Sequence, residues 1–232
     1  MREAIAKAFE RAGFLLTEGQ VAAFDAYAAL LEKWNARINL TSIRDLNEMV
    51  DAHFVDSCLV LRHVEIAEGA RVADIGSGAG FPGLAMAILR PDIQIMLIES
   101  DGRKASFLHT AKATLRLGNV LVAAERVVPE SMPEAWVGSF DGVVSRYTAP
   151  VEWVAECARF MTRTGGWCVV HKYDDADERE ALTRVGAWAD VAEVRWESDK
   201  DATPRRRFAC VDFVGETRNA AVGATGVGGA SA

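Results

Sequence analysis

The sequence predicts an α/β fold built on a mostly parallel, seven-stranded sheet with helices on both faces. From residue 71 onward, short apolar runs alternate with helical patterns, which is typical of a parallel sheet whose crossover connections are helices. A glycine-rich turn joins the first apolar run to the helix that follows it. Before residue 71 the apolar positions recur at helical spacing, so we expect an N-terminal helical extension.

Three helices are expected in this extension. The first covers residues 2–12, and the second begins at Thr17-Glu18-Gly19-Gln20, which has the spacing of a capping box. Asp45 or Asn47 can cap the third helix, because short polar side chains accept hydrogen bonds from free N–H groups at helix starts. On this basis we assign residues 1–66 to a helical subdomain that has no catalytic signature of its own.

Strands and helices alternate through the rest of the chain. The first strand begins at Arg71, and six more are expected at 93–98, 120–124, 140–145, 167–171, 191–197 and 208–214. Such sheets bind ligands at the carboxyl ends of their strands. We therefore assign residues 67–214 to a ligand-binding domain. The glycine- and alanine-rich segment 215–232 is expected to be disordered.

The turn after the first strand predicts a nucleotide-like ligand. It contains Asp74, Gly76, Gly78 and Gly80 in close succession, and glycines let the backbone approach a ligand and point N–H groups at it. A second acid, Glu99, ends the next strand about 20 residues later, where a ribose diol is held in nucleotide-binding folds. A plain strand-to-helix connection would explain the glycines but not the second acid.

Two cofactor classes fit a loop of this kind. Gly78, Gly80 and Gly83 satisfy the dinucleotide pattern G-x-G-x-x-G, so a nicotinamide oxidoreductase is one hypothesis. About seventy residues precede the loop, however, and no tyrosine is followed four positions later by the lysine that short-chain reductases use. The alternative, an acid followed by G-x-G-x-G, resembles motif I of the class I S-adenosylmethionine-dependent methyltransferases. That resemblance implies a Rossmann-like fold, with Asp74 near the methionine moiety and Glu99 on the ribose hydroxyls.

Charge and cysteine content argue against several other classes of protein. A formal net charge of −7 does not favour a general nucleic-acid binder, although a local basic patch can still contact a specific RNA. The cysteines form no metal-binding or disulfide pattern, so we expect reduced, mostly buried thiols and no metal site. No apolar run is long enough to span a bilayer, so we expect a cytoplasmic protein without a membrane partner.

Several further segments resemble one methyltransferase family, the bacterial RsmG (glucose-inhibited division protein B) enzymes that methylate 16S ribosomal RNA at a guanine N7. The segments that resemble it are Leu30-Leu31-x-x-Trp34-Asn35-x-x-Ile38-Asn39-Leu40-Thr41, His53-x-x-Asp56-Ser57, Gly80-Phe81-Pro82-Gly83, Arg103-Lys104-x-x-Phe107-Leu108, Phe140-Asp141-x-Val143-x-Ser145-Arg146 and Gly165-Gly166 with Lys172. They run in order from about residue 20 to residue 214.

The resemblance implies a function and a set of site residues. The cofactor would be S-adenosylmethionine, the substrate 16S ribosomal RNA or the small ribosomal subunit, and the target in the family guanine 527; we expect a monomer. The family's cofactor contacts fall on Gly76, Phe81, Val127, Val128 and Arg146, with Gly78 in the same glycine loop. Arg146 is the best candidate for a catalytic role, because it ends a strand at the ligand-binding edge.

The sequence departs from the family pattern at three places, one of which is Tyr173, where the family has a glycine after Lys172, and it leaves alternatives open. The family usually has an acid at the position of Val128, and a small, apolar pair where this chain has Tyr147-Thr148. The alternatives are a methyltransferase for another RNA site or a small molecule, and a non-catalytic, ribosome-associated descendant. His53 and Asp56 lie one helical turn apart and either reach the site or only form a hydrogen bond on the helix surface. Arg205-Arg206-Arg207 either clamps phosphates or is a solvated charge run.

Overall fold

A computed structural model describes residues 1–172, 175–199 and 206–214 of the chain. In this part of the chain, seven strands form one sheet in the order β3-β2-β1-β4-β5-β7-β6. The strands are β1 (Arg71–Ile75), β2 (Gln94–Ile98), β3 (Val120–Ala123), β4 (Phe140–Arg146), β5 (Thr162–Lys172), β6 (Val191–Asp199) and β7 (Arg206–Phe213). The first five strands pair in parallel, and β7 runs antiparallel to both β5 and β6. The predicted tail, 215–232, lies outside the described residues.

Helices cover both faces of the sheet. They are α1 (Arg2–Arg11), α2 (Glu18–Asn35), α3 (Leu46–Met49), α4 (Asp56–Cys58), α5 (Gly83–Leu89), α6 (Gly102–Thr114), α7 (Val151–Met161) and α8 (Ala176–Gly186). Helices α1, α2, α5 and α6 share one apolar core, and α7 and α8 pack into a second core on the opposite face. The mostly parallel, two-faced sheet that the sequence predicts is therefore confirmed.

The N-terminal helices follow their capping signals, with one departure. Both bonds of the capping box are present, since the Gln20 N–H donates to the Thr17 hydroxyl and the Thr17 N–H donates to the Gln20 side chain. Asp45 supplies the next cap by accepting from two backbone N–H groups at 2.9 and 2.8 Å. The helix it opens is not regular, because a π-helical turn, Val50–Val55, separates α3 from α4. Such turns insert an extra residue and are frequent beside functional sites.

The N-terminal helices and the sheet share a continuous apolar layer. Phe9, Phe24 and Phe54 stack in sequence with ring-centroid distances of 4.7 and 5.2 Å, and the same cluster includes residues of β1 and α5. The half-buried Trp34 packs edge-on against Phe107 of α6 at 5.6 Å and adds to this layer. The division of the chain at residue 66 stays a prediction.

The carboxyl ends of three strands meet at the glycine-rich turn. Ile75, the last residue of β1, lies opposite Ile98 of β2 on one side and Ser145 of β4 on the other. This register places Gly76 and Glu99, which follow β1 and β2, and Arg146, the last residue of β4, along one edge of the sheet. The site is therefore a consequence of the strand order.

The cysteines are as the sequence predicts. Cys58, Cys157, Cys168 and Cys210 are all buried and reduced. Burial raises the pKa of the Cys157 and Cys210 thiols to about 12, so neither is a thiolate near neutral pH. None of the helices that the structure describes has the length and apolar character needed to cross a membrane.

Candidate functional site

Ser77 organises the loop that follows β1. Its hydroxyl donates to the Asp74 carbonyl at 2.9 Å and accepts from the Ile98 N–H at 3.1 Å, so it ties the loop to two strands. Its carbonyl accepts from the N–H groups of Gly80 and Phe81 at 2.6 and 3.0 Å. This role of Ser77 is not predictable from the sequence, because a serine between glycines carries no pattern that distinguishes it from a solvent-exposed turn residue.

Glu99 is built into the same loop. One carboxylate oxygen accepts from the Gly78 N–H and the other from the Asp101 N–H, each at 2.8 Å, and the residue is buried. The expectation of a cluster of free N–H groups is therefore wrong. The N–H groups of Gly76 and Ser77 donate to the Ile98 carbonyl, and those of Gly78, Gly80 and Phe81 also have partners inside the protein. The loop offers a ligand its shape and carbonyl groups more than its amides.

Asp74 lies beneath the loop. It is fully buried, and its Oδ2 accepts from the N–H of Gly83, the first residue of α5, at 2.9 Å. Its Oδ1 has no hydrogen-bond partner within the described part of the chain. Burial raises the pKa of the Asp74 carboxyl to about 7, and the Gly83 N–H only partly opposes this shift. Its proposed place near the methionine moiety stays a prediction.

We expect Asp74 to make the stability of the fold depend on pH. The folded pKa of about 7 lies above the ordinary value of 3.8, so the stabilising effect of protonation is complete below pH 4 and is lost as the pH rises towards 7. Between pH 5.5 and 7.5 the unfolding free energy should fall by about 2 kcal/mol more in the wild type than in Asp74→Asn. Urea unfolding of both proteins measures the difference, and parallel pH profiles would contradict it.

Two clefts adjoin at Gly76. The larger has a volume of about 550 Å³ and is lined by Gly76, Gly78, Phe81, Glu99 and Arg146, among others. The smaller, of about 340 Å³, is lined on its apolar side by Ile75, Ile98, Val127 and Trp153, and Gly76 belongs to both. The backbone of Gly76 has φ = 71°, and a Cβ there would collide with the Thr148 side chain. Glycine at this position keeps the passage between the clefts open.

The structure therefore separates the predicted site residues into groups. Gly76, Gly78, Phe81, Glu99 and Arg146 come together in the larger cleft, and Val127 joins Gly76 in the smaller one. Asp74 and Val128 line neither cleft: the first is covered by the loop, and the half-buried Val128 directly precedes a 3₁₀ turn, Pro129–Ser131. Their roles in binding stay predictions.

Arg146 connects the sheet to the N-terminal helices. Its guanidinium forms an ion pair with Asp56 at 2.8 Å and donates to the Ala52 carbonyl at 2.5 Å. It also lies 3.3 Å from Nδ1 of His53, whose ring stacks on Phe81 with centroids 4.7 Å apart. His53 thus lines the larger cleft and Asp56 reaches it through Arg146, so neither is confined to a hydrogen bond on the helix surface.

A third, polar cleft lies next to the larger one. It has a volume of about 250 Å³ and lies between the end of α2 and the start of α6. Arg37, Arg103 and Lys104 line it, and Lys104 also lines the larger cleft. Asp101 lines the same cleft, with a carboxylate oxygen 3.5 Å from the Arg103 guanidinium, so three cations face one carboxylate there in a chain with a formal charge of −7.

Comparison with known proteins now decides the family. The sequence pattern of the family described as rRNA small subunit methyltransferase G matches residues 20–204. This chain belongs to that family. It is 35% identical over 195 residues to the ribosomal RNA small subunit methyltransferase G of Klebsiella pneumoniae (strain 342), covering 84% of this chain and 91% of that protein. The protein of the same name from Moorella thermoacetica is 38% identical over 172 residues, covering 74% and 72%. The resemblance to the RsmG family is confirmed.

The fold of this member of the rRNA small subunit methyltransferase G family agrees with solved methyltransferase structures. An S-adenosylmethionine-dependent O-methyltransferase from Thermotoga maritima superposes with a TM-score of 0.51 at 13% sequence identity, covering 71% of this chain and 66% of that one. At that identity the likeness establishes the fold alone. The predicted class I S-adenosylmethionine methyltransferase fold is confirmed.

Sequence reasoning missed one residue that shapes the site of this family member. Tyr27 of α2 is fully buried, and its hydroxyl donates to the Ala79 carbonyl of the glycine loop at 2.5 Å. Burial raises the pKa of its hydroxyl, so it remains a donor at all ordinary pH values. The available signal was a tyrosine on the apolar face of a helix, since a buried tyrosine hydroxyl needs a polar partner.

Proposed function

We propose that this protein transfers a methyl group from S-adenosylmethionine to N7 of a guanine in 16S ribosomal RNA, at the position equivalent to the family's guanine 527. The observation that supports this most directly is the pair of clefts that adjoin at Gly76, in a chain of the rRNA small subunit methyltransferase G family. We further propose that it acts as a monomer in the cytoplasm on the RNA or the small ribosomal subunit.

The residues of the two clefts suit the donor. Ile98, Val127 and Trp153 offer the smaller cleft apolar surface for an adenine ring. Glu99 presents a carboxylate whose two oxygens are held by backbone N–H groups, and the remaining lone pairs can accept ribose hydroxyls. Gly76 and Gly78 leave the backbone open for the polar tail in the larger cleft.

The reaction requires little acid–base catalysis by the protein. S-adenosylmethionine supplies an electrophilic methyl group, and guanine N7 carries an exposed lone pair in the neutral base, so no proton must leave before the attack. The protein therefore needs to orient the base and to exclude water, and positioning alone can lower a barrier by roughly 7 kcal/mol or more. The guanidinium of Arg146 only donates hydrogen bonds, so we assign it a positioning role. Its contacts with Asp56 and Ala52 make it a fixed wall of the cleft.

The polar cleft supports an RNA substrate. Arg37, Arg103 and Lys104 lie beside the larger cleft, and cationic side chains bind phosphates without reading sequence. A small-molecule methyltransferase would not need positive charge outside its donor cleft. The cluster therefore favours RNA over the small-molecule alternative.

We expect 16S ribosomal RNA from a strain that lacks this gene to lose one N7-methylguanine. Wild-type protein should restore it and Gly76→Arg should not, because the new side chain fills the passage between the clefts. Mapping of N7-methylguanine in the purified RNA measures this outcome. Unchanged modification in the deletion strain would contradict the proposal, and calorimetry with S-adenosylmethionine and with NAD would then identify a non-catalytic descendant or an oxidoreductase.

A further inference from the structure

Tyr147 has an unusual backbone conformation at the rim of the larger cleft. Within the described part of the chain, only Arg116 and Tyr147 are non-glycine residues with positive φ, at 55° and 50°. Arg116 follows the end of α6, where a left-handed residue commonly stops a helix. Tyr147 directly follows β4 and lines the cleft, where such strain is more often linked to function.

The residues on either side of Tyr147 are firmly held. Arg146 extends inward to its ion pair with Asp56. The Thr148 hydroxyl lies 3.2 Å from the carbonyl oxygens of Gly76 and Arg146, to either of which it can donate. The Tyr147 N–H donates to the His171 carbonyl at 3.2 Å. With the backbone fixed in this way, the left-handed residue turns its ring towards the cleft.

The Tyr147 ring is unusually exposed for its size. The residue as a whole is 40% exposed, and it lines the larger cleft. The guanidinium carbon of Arg146 lies 5.7 Å from the Tyr147 ring centroid. An aromatic surface at the rim of a cleft suits a planar base, because every base has a face that can stack on a ring.

We propose that the Tyr147 ring is the platform on which the target guanine stacks when it enters the larger cleft. This inference rests on the proposed function and names the residue that binds the substrate base. Methylation at N7 makes the purine ring cationic, and a tyrosine ring attracts a cation through its electron-rich face. The platform therefore favours the base increasingly as the methyl group is transferred.

Three variants of Tyr147 distinguish the effect of the ring from the effect of the backbone conformation. Tyr147→Phe keeps the stacking surface, whereas Tyr147→Gly and Tyr147→Asn remove it and suit a positive φ better than tyrosine does. With small ribosomal subunits from the deletion strain as substrate, we expect kcat/KM to stay within about threefold for Tyr147→Phe and to fall roughly ten- to a hundredfold for the other two. The affinity for S-adenosylmethionine and the unfolding midpoint should not fall in any of them.

Arg116→Gly provides the matched control, because it relaxes the same kind of backbone strain outside the cleft and should leave methylation unchanged. Equilibrium dialysis with 7-methylguanosine 5′-monophosphate gives a readout that does not depend on turnover. We expect weaker binding to Tyr147→Gly and Tyr147→Asn than to the wild type. Equal binding, or a loss of activity that parallels a loss of donor affinity or stability, would overturn the proposal. If the wild type bound 7-methylguanosine 5′-monophosphate more tightly than Tyr147→Gly and Tyr147→Asn but did not methylate the ribosomal RNA, the proposed function would be wrong and the platform would stand.

Discussion

Gly76→Ala should lower the affinity for S-adenosylmethionine about a hundredfold, which corresponds to about 2.7 kcal/mol. Two costs combine in this variant. An alanine at φ = 71° is strained by roughly 1 kcal/mol, and its Cβ collides with Thr148, so either the loop or Thr148 must move into the space between the clefts. Isothermal titration calorimetry with the donor measures the change directly.

Gly78→Ala is the matched control for this prediction. Gly78 also has a positive φ, 56°, but a Cβ there would approach only the Gly76 carbonyl oxygen, at 3.8 Å. The control bears the backbone strain and a small loss of room in the larger cleft, without the collision with Thr148, and should lose about tenfold or less. Adding Thr148→Gly to Gly76→Ala should recover part of the affinity, since it removes the colliding side chain. Equal losses at Gly76 and Gly78 would show that the collision is not what matters.

The sequence predicted the fold well because its signals were local. The strands alternate with helices at ordinary lengths, and the caps at Thr17 and Asp45 lie where their side chains predict. The interrupted helix around Val50–Val55 was missed, because a π-helical turn depends on how the segment packs and not on its apolar spacing. The strand predicted at 167–171 begins earlier, at Thr162, and its pairing with β4 jumps from Thr162 to Trp167.

The candidate site was only partly predictable. Motif spacing located Gly76, Gly78 and Glu99, since these residues follow directly from strand ends. The sequence could not show that Glu99 accepts a hydrogen bond from the Gly78 N–H, because that contact joins two loops 21 residues apart. Tyr27 and Asp56 contact the site from the N-terminal helices. Their partners are far away in the sequence, so no local pattern predicts these contacts.

Asp56→Ala should destabilise the protein by about 3–5 kcal/mol, the largest loss of stability that we expect from a single substitution in this chain. The side chains of Asp56 and Arg146 are 1% and 10% exposed, so removal of the carboxylate leaves a charged guanidinium in a buried place. For a chain of this size the unfolding midpoint should drop by about 10 °C, measured by calorimetry. Glu152→Ala, which breaks the exposed pair with Arg184, is the control and should leave the midpoint unchanged.

The double variant Asp56→Leu with Arg146→Met decides what the buried pair is for. Replacement of both charges by apolar side chains removes the desolvation cost of each, so the unfolding midpoint should return close to that of the wild type. Methylation should not return, because the guanidinium that is fixed beside Phe81 and His53 is gone. Recovery of both stability and activity would mean that Arg146 has no role in the reaction. Recovery of stability alone would mean that Asp56, from the N-terminal helices, serves to hold the charged Arg146 side chain at the site. The desolvation of this pair lowers the stability of the fold, and apolar side chains would avoid that loss.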